Sequence, residues 1–226
     1  MDIVLFSMAY PVTSLGPGRR IVLWVSGCDK RCRGCISPEM QPRNAGKAVP
    51  VDVLLRRILD LDTYLDGITI SGGEPFDQAP ALAELLSALR TERPAWNVLI
   101  YTGYLIEEIK EDGSGRAKLL DCADILIDGP YRRNIPREHP LTGSGNQRVH
   151  YLTERGRSLK PRVDATPAGQ VNLGLGAGSL DMIIGVTETT TRDEVCETFH
   201  AEPRARRVRR REPRRPRTQR RESQAL

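Results

Sequence analysis

Residues 16–35 read GPGRRIVLWVSGCDKRCRGC, and the two halves of this stretch set the frame for the rest of the chain. Ile21–Ser26 (IVLWVS) is an uninterrupted apolar run, the pattern of a strand buried inside a sheet. Directly after it, Cys28, Cys32 and Cys35 stand in a Cys-x3-Cys-x2-Cys spacing. In parallel α/β sheets ligands collect beyond the carboxyl ends of the strands, so this is where a cofactor is expected.

The chain has five cysteines, an odd number, and three of them fall within eight residues. Thiols that close together cannot build a sensible disulfide framework. The N-terminal MDIVLFSMAY lacks the basic region of a secretion signal, so the expectation is a cytoplasmic protein whose cysteines bind metal or do chemistry. Three thiolates on one short loop can hold three corners of a cubane [4Fe–4S] cluster and leave the fourth iron without a protein ligand, unlike the four-cysteine sites of ferredoxins. An open iron can bind a substrate. The alternative is a structural zinc, which needs four closed ligands. Its remaining candidates, Cys122, Cys196 and the histidines, all lie at least 87 residues beyond Cys35.

Outward from this stretch, apolar β-rich runs alternate with helix-like segments. Ile3–Ser7, Gly67–Ser71, Asn97–Tyr101 and Asp124–Asp128 read as strands. Pro50–Leu61, Gln78–Leu89 and Leu105–Lys110 carry apolar residues at helical spacing. This rhythm predicts a parallel sheet with right-handed crossovers. Arg148–Leu152 and Asp181–Val186 fit late or edge strands.

Loops that follow the strands carry further polar chemistry. Ser71–Pro75 (SGGEP) begins 36 residues after Cys35, and its Gly72 and Gly73 let a ligand approach the backbone closely. Glu74 can accept from an ammonium group; a GGE sequence alone is equally a tight turn. Tyr101–Tyr104 (YTGY) ends the next strand, with Thr102 and Gly103 as candidate contacts, and Asp128–Pro130 (DGP) closes the one after it, with Asp128 as a candidate site residue. In residues 141–148 (LTGSGNQR), Asn146, Gln147 and Arg148 offer donors suited to a carboxylate or ribose, or else to bracing the loop.

The three-cysteine motif after a first barrel strand resembles the radical S-adenosylmethionine superfamily. Members commonly have an aromatic residue before the third cysteine; here that position is Gly34, as in the branch containing the anaerobic ribonucleotide reductase activating proteins. Gly16–Cys35 and LTGSGNQR are similar to that branch as well. The resemblance implies a [4Fe–4S] cluster on Cys28, Cys32 and Cys35, with S-adenosylmethionine held at Gly34, Gly72, Gly73, Glu74, Thr102, Gly103 and Asp128. It also implies reductive cleavage of that cofactor to a 5′-deoxyadenosyl radical by an oxidoreductase that activates a glycyl-radical enzyme or another macromolecular substrate. Reduced flavodoxin or ferredoxin is the implied electron donor. Rival readings are radical modification of a peptide or small molecule, and a non-enzymatic iron–sulfur sensor that binds nucleic acid. Together, rhythm and resemblance give a partial (β/α)6 TIM-like barrel of about six parallel strands over residues 1–187.

Charge is distributed unevenly. Residues 201–226 hold eleven Arg and three Glu, a local balance of +8, so the other 200 residues carry −3 although the whole chain is +5. The arginine-rich end has almost no core-forming residue to offset its ordering entropy, so residues 188–226 are expected to be a disordered basic tail. Any affinity for nucleic acid would belong to that tail and not to the globular part. No apolar run reaches the roughly 18 residues of a membrane span, so no membrane association is expected.

Overall fold

The computed structural model describes residues 1–61, 63–112, 115–176 and 179–186; Cys196, His200 and the expected basic tail lie outside the described residues. One sheet holds β1 (Asp2–Val12), β2 (Arg20–Val25), β3 (Lys47–Pro50), β4 (Gly67–Gly72), β5 (Asn97–Tyr101), β6 (Ile125–Asp128) and β7 (Arg148–Tyr151), in the order β3-β1-β2-β4-β5-β6-β7. The central strands β2, β4, β5 and β6 are parallel. By contrast β1 runs antiparallel to both its neighbours, and β7 antiparallel to β6.

The sheet thus has four parallel strands where the sequence rhythm predicts about six. Connection length explains the first departure. Only residues 13–19 join β1 to β2, too few for a crossover helix, so the pair forms a hairpin. The link from β6 to β7 has no helix among its residues, and β7 returns as an antiparallel edge.

Helices occur where the chain crosses between parallel strands. α1 (Val51–Leu59) leads into β4, α2 (Ala79–Glu92) joins β4 to β5, and α3 (Ile106–Glu111) with α4 (Arg116–Leu120) joins β5 to β6. Alternate strand residues Ile21, Leu23, Ile68, Ile70, Val98 and Ile100 pack against this helical layer. Leu82, Leu85 and Leu86 of α2 are at most 1% exposed, and each contributes about 1.5–3 kcal/mol by burial.

The opposite face of the sheet is covered by other means. Val22 and Trp24 pack with Leu15, Met40 and Ile184, while Leu99, Ile125 and Ile127 pack with Leu141 and Val163. Val163 belongs to α5 (Glu154–Asp164), whose Thr153 cap accepts from the Gly156 N–H at 3.0 Å. Ile184 ends a separate hairpin of β8 (Asn172–Gly176) and β9 (Ser179–Ile184). The sheet is therefore buried on both faces, as the all-apolar β2 requires.

At the amino-terminal end of the parallel strands, Arg20 is wholly buried. Its Nε donates to Thr69 Oγ1 at 2.6 Å, Nη1 to Asn97 Oδ1 at 2.6 Å and Pro17 O at 3.0 Å, and Nη2 to Ile68 O at 2.5 Å. Burial lowers its pKa to about 10, so it stays charged at neutral pH and ties β2, β4 and β5 together. Among the described residues no helix is long and apolar enough to cross a membrane.

Candidate metal centre

β2 and β4 lie in register with Val25 opposite Gly72, which sets the cysteine loop beside the SGGEP loop. The cysteine loop closes on itself: Gly27 N donates to Met40 O at 2.8 Å and Cys28 N to Gln41 O at 2.9 Å. A tight turn joins Cys35 N to Cys32 O at 3.1 Å. The neighbouring loop is pressed onto it, with Gly73 N bonded to Val25 O and Glu74 N to Gly27 O. Only glycine permits this approach. A Cβ on Gly73 would stand 2.2 Å from Gly27 O, and one on Gly72, at φ +108, 2.4 Å from Val25 O.

A cavity of about 680 Å³ opens at this end of the sheet. Cys28, Cys32 and Cys35 line one side, and Ser71–Glu74 with Tyr101, Thr102 and Gly103 line another. All three thiols are half-buried and unpaired. Burial pushes the Cys28 thiol up, against the opposing pull of the Lys30 and Arg31 N–H groups. Metal coordination would have to displace that proton.

Glu74 is 1% exposed and fully bonded to the strand ends around it. Its Oε1 accepts from Phe76 N at 3.0 Å and Thr102 Oγ1 at 2.8 Å, and its Oε2 from Gly103 N at 2.8 Å. Burial raises its carboxyl to about 7, although these three donors favour the charged form. A cation reaching the cavity would restore the charge.

Two predicted site residues are placed elsewhere. Gly34 is exposed and left-handed at φ +74, and a Cβ there would meet Arg133 Cδ at 2.9 Å; it does not line the cavity. An aromatic residue at this position would have to displace Arg133. Asp128 is wholly buried and also off the cavity wall. Its Oδ2 accepts from Ile106 N at 2.8 Å and Arg148 Nη2 at 2.5 Å, and lies 3.1 Å from His150 Nε2. Burial acts to raise this carboxyl, but Arg148 and the Ile106 N–H outweigh it and hold it below the usual range. Asp128 therefore ties α3 to β7 and contacts no ligand space.

The GSGNQR loop is braced in the same way. Gln147 Oε1 accepts from Gly143 N at 2.7 Å while its Nε2 donates to Gly129 O, and Asn146 Nδ2 donates to Pro130 O at 2.7 Å. Arg148 pairs with Glu107 as well as Asp128. Of these three only Gln147 reaches the cavity wall.

Some residues around the cavity carry no sequence signal of their own. Lys30, inside the cysteine loop, stands 3.6 Å over the Tyr104 ring, whose hydroxyl donates to Asp77 and accepts from Arg116. Tyr131, Met182 and Ile183 also reach the cavity.

The described donors bear on the two metal readings. Among the described residues no three His, Cys, Asp or Glu are grouped to hold a single ion. Cys122 packs on the helical side against Ser87 and Lys118, while His139 and His150 face Asp164 and Asp128. A closed zinc set is not assembled by these residues. A cubane spreads its ligands over different irons, so three thiolates around one cavity fit it without converging on a point.

The family model described as a 4Fe-4S single cluster domain matches residues 14–150. The anaerobic ribonucleoside-triphosphate reductase-activating protein of Enterobacteria phage T4 is 31% identical over 142 residues, covering 62% of this chain and 88% of the relative. Its counterpart in Escherichia coli K12 is 31% identical over 151 residues, covering 63% of this chain and 96% of the relative. That of Vibrio cholerae is 33% identical, with coverages of 64% and 96%. The crystal structure of QueE from Escherichia coli overlaps at a TM-score of 0.38 with 20% identity, over 46% of this chain and 53% of that one, too slight a likeness to argue from.

Proposed function

Because the chain belongs to the 4Fe-4S single cluster domain family and, within the radical S-adenosylmethionine superfamily, to the anaerobic ribonucleoside-triphosphate reductase-activating proteins, we infer that it generates a radical for a partner enzyme. In this reading Cys28, Cys32 and Cys35 hold a [4Fe–4S] cluster, and S-adenosylmethionine binds beside it. A reduced cluster held there would supply the electron for reductive cleavage of S-adenosylmethionine at its C5′–S bond, to methionine and a 5′-deoxyadenosyl radical. The hydrogen atom would come from a glycine of an anaerobic ribonucleotide reductase, the enzyme that the relatives' names state as their target.

The chain's own residues bind and orient. Glu74 would accept from the amino group of the cofactor, whose positive charge would favour the buried carboxylate in its charged form. Gly72 and Gly73 offer backbone at close range, while Thr102 and Gly103 fix the Glu74 carboxylate and border the remainder of the nucleoside. Gly34 and Asp128 act at one remove: Gly34 shapes the turn before Cys35, and Asp128 steadies the Gly129 loop. The protein excludes water and supplies orientation, and no protein acid or base is required.

Several finer points belong to the same reading. The four parallel strands are the retained part of a partial (β/α)6 barrel, residues 1–187 form the radical-generating core, and residues 188–226 are an accessory basic tail. A reduced flavodoxin or ferredoxin donates the electron in the cytoplasm.

The observation that carries the reading is the convergence of three cysteines, the Gly72–Glu74 loop and the Thr102–Gly103 loop around one cavity. Anaerobically reconstituted protein, given dithionite and S-adenosylmethionine, should release 5′-deoxyadenosine and methionine in equal amounts. With an anaerobic ribonucleotide reductase present, a glycyl radical should appear in the electron paramagnetic resonance spectrum. A reconstituted cluster that leaves S-adenosylmethionine intact would refute the enzymatic reading and favour a sensor.

A further inference from the structure

The family match ends at residue 150, yet part of the cavity wall comes from beyond it. Met182, Ile183, Ile184, Gly185 and Val186 line the cavity that the three cysteines and Glu74 line from the other side. They belong to or directly follow the β8–β9 hairpin, which among the described residues pairs with itself and with no strand of the main sheet.

This hairpin is fastened at specific points. Asn172 Oδ1 accepts from Thr13 N at 2.9 Å and Ser14 N at 3.0 Å, and Ser14 Oγ donates to Ile184 O at 2.8 Å. Arg137 Nη1 donates to Val186 O at 2.5 Å, and Gln170 Nε2 to Thr13 Oγ1 at 2.9 Å. Ile184 is 5% exposed and packs with Leu15, Trp24 and Met40. Neighbouring Met182 and Ile183 remain partly exposed, on the cavity side.

We propose that the β8–β9 hairpin is a specificity-determining wall of the cofactor cavity, which shields the three cysteines from bulky molecules and leaves them open to small ones. The inference rests on the reading of this cavity as the cofactor site. Its physical basis is space and polarity. The cavity's volume of about 680 Å³ lies within the range of about 300–1,000 Å³ typical of small-molecule sites. Met182 and Ile183 stand along one side of it, so the hairpin narrows the approach of a bulky molecule from that side.

The test uses cluster-free, reduced, full-length protein and reads thiol access by peptide mass mapping. Iodoacetamide serves as the small reagent and a maleimide bearing a polyethylene glycol chain as the large one. In Asn172→Ala, which strips the acceptor from Thr13 and Ser14, the large reagent should label Cys28, Cys32 and Cys35 about tenfold faster, the factor that corresponds to about 1.4 kcal/mol of lost anchoring. The double variant Met182→Ala/Ile183→Ala should act in the same direction, and iodoacetamide should gain less in both. Cys122, packed on the helical side, should keep its rate and so reports that the fold is intact. The wall is disproved if neither variant speeds the large reagent, or if both speed it equally at Cys122. A protein that assembles its cluster and releases 5′-deoxyadenosine, yet shows no such acceleration, loses the wall alone. Acceleration in a protein that assembles no cluster removes the cofactor reading instead.

Discussion

The two ends of the parallel strands bury opposite charges and treat them differently. At the amino-terminal end every guanidinium nitrogen of Arg20 meets an acceptor from Pro17, Ile68, Thr69 or Asn97. That end is closed. At the carboxyl end Glu74 is equally buried, but its donors all come from the wall behind it and it borders an open cavity. Arg20 keeps its charge at neutral pH, with a pKa near 10, whereas Glu74, raised to about 7, is poised between two states. A buried charge with a complete partner set is a structural joint. One poised at a cavity is a receptor for something of opposite sign.

Breaking the joint should have the largest effect. Arg20→Met leaves the acceptors on Thr69, Asn97 and Ile68 buried without partners, and should cost about 3–5 kcal/mol in urea unfolding of the cluster-free protein. A loss under about 1 kcal/mol would mean that these acceptors find other donors and that Arg20 is not the joint described.

The receptor should reveal itself through pH. Its folded-state carboxyl is raised above the unfolded value of 4.5, so the folded protein binds this proton more tightly. The contribution is complete below about pH 4.5 and is lost as pH rises through about 7, a change of about 3 kcal/mol. Glu74→Gln should therefore flatten the fall in stability between pH 5 and pH 8 in the cluster-free protein. A wild-type protein with no such fall would show Glu74 to be less buried than described. Asp128, held low by Arg148, should act with the opposite sign, losing its contribution as pH falls below the ordinary carboxylate range.

Smaller effects should sharpen the picture at the cysteine loop. Gly73→Ala forces a methyl against Gly27 O and should cost about 1–3 kcal/mol, with lower iron content after reconstitution and an unchanged circular dichroism spectrum. Tyr104→Leu removes the ring beneath Lys30 and the hydroxyl bonded to Asp77 and Arg116, and should cost about 1–2 kcal/mol, with faster tryptic cleavage after Lys30. Equal iron content in the glycine variant would show that the two loops need not touch.

What the sequence made legible was chemistry whose partners lie close together along the chain. The buried run of β2, the cysteine spacing and the Gly72–Glu74 loop at the end of β4 could be read from residue type and distance alone. The direction of β1 could not, because it depends on a turn too short for a helix and not on the strand's own apolar pattern. Asp128 looked like a site residue because it ends a strand beside the others; its real partner, Arg148, sits 20 residues away on β7. α5 was invisible for a different reason, since Leu159 and Val163 are almost its only apolar residues and Pro161 interrupts the pattern. The wall formed by Met182 and Ile183 depends on tertiary docking through Asn172, which no local pattern announces.

The central claim is that three thiolates hold a cubane whose remaining iron is free to bind the cofactor. Mössbauer spectroscopy of protein reconstituted with iron-57, with and without S-adenosylmethionine, tests it most directly. The account predicts that one of the four irons changes its isomer shift when the cofactor is added while the other three stay put. Four irons that ignore the cofactor, or a preparation that retains zinc in place of a cluster, would contradict it.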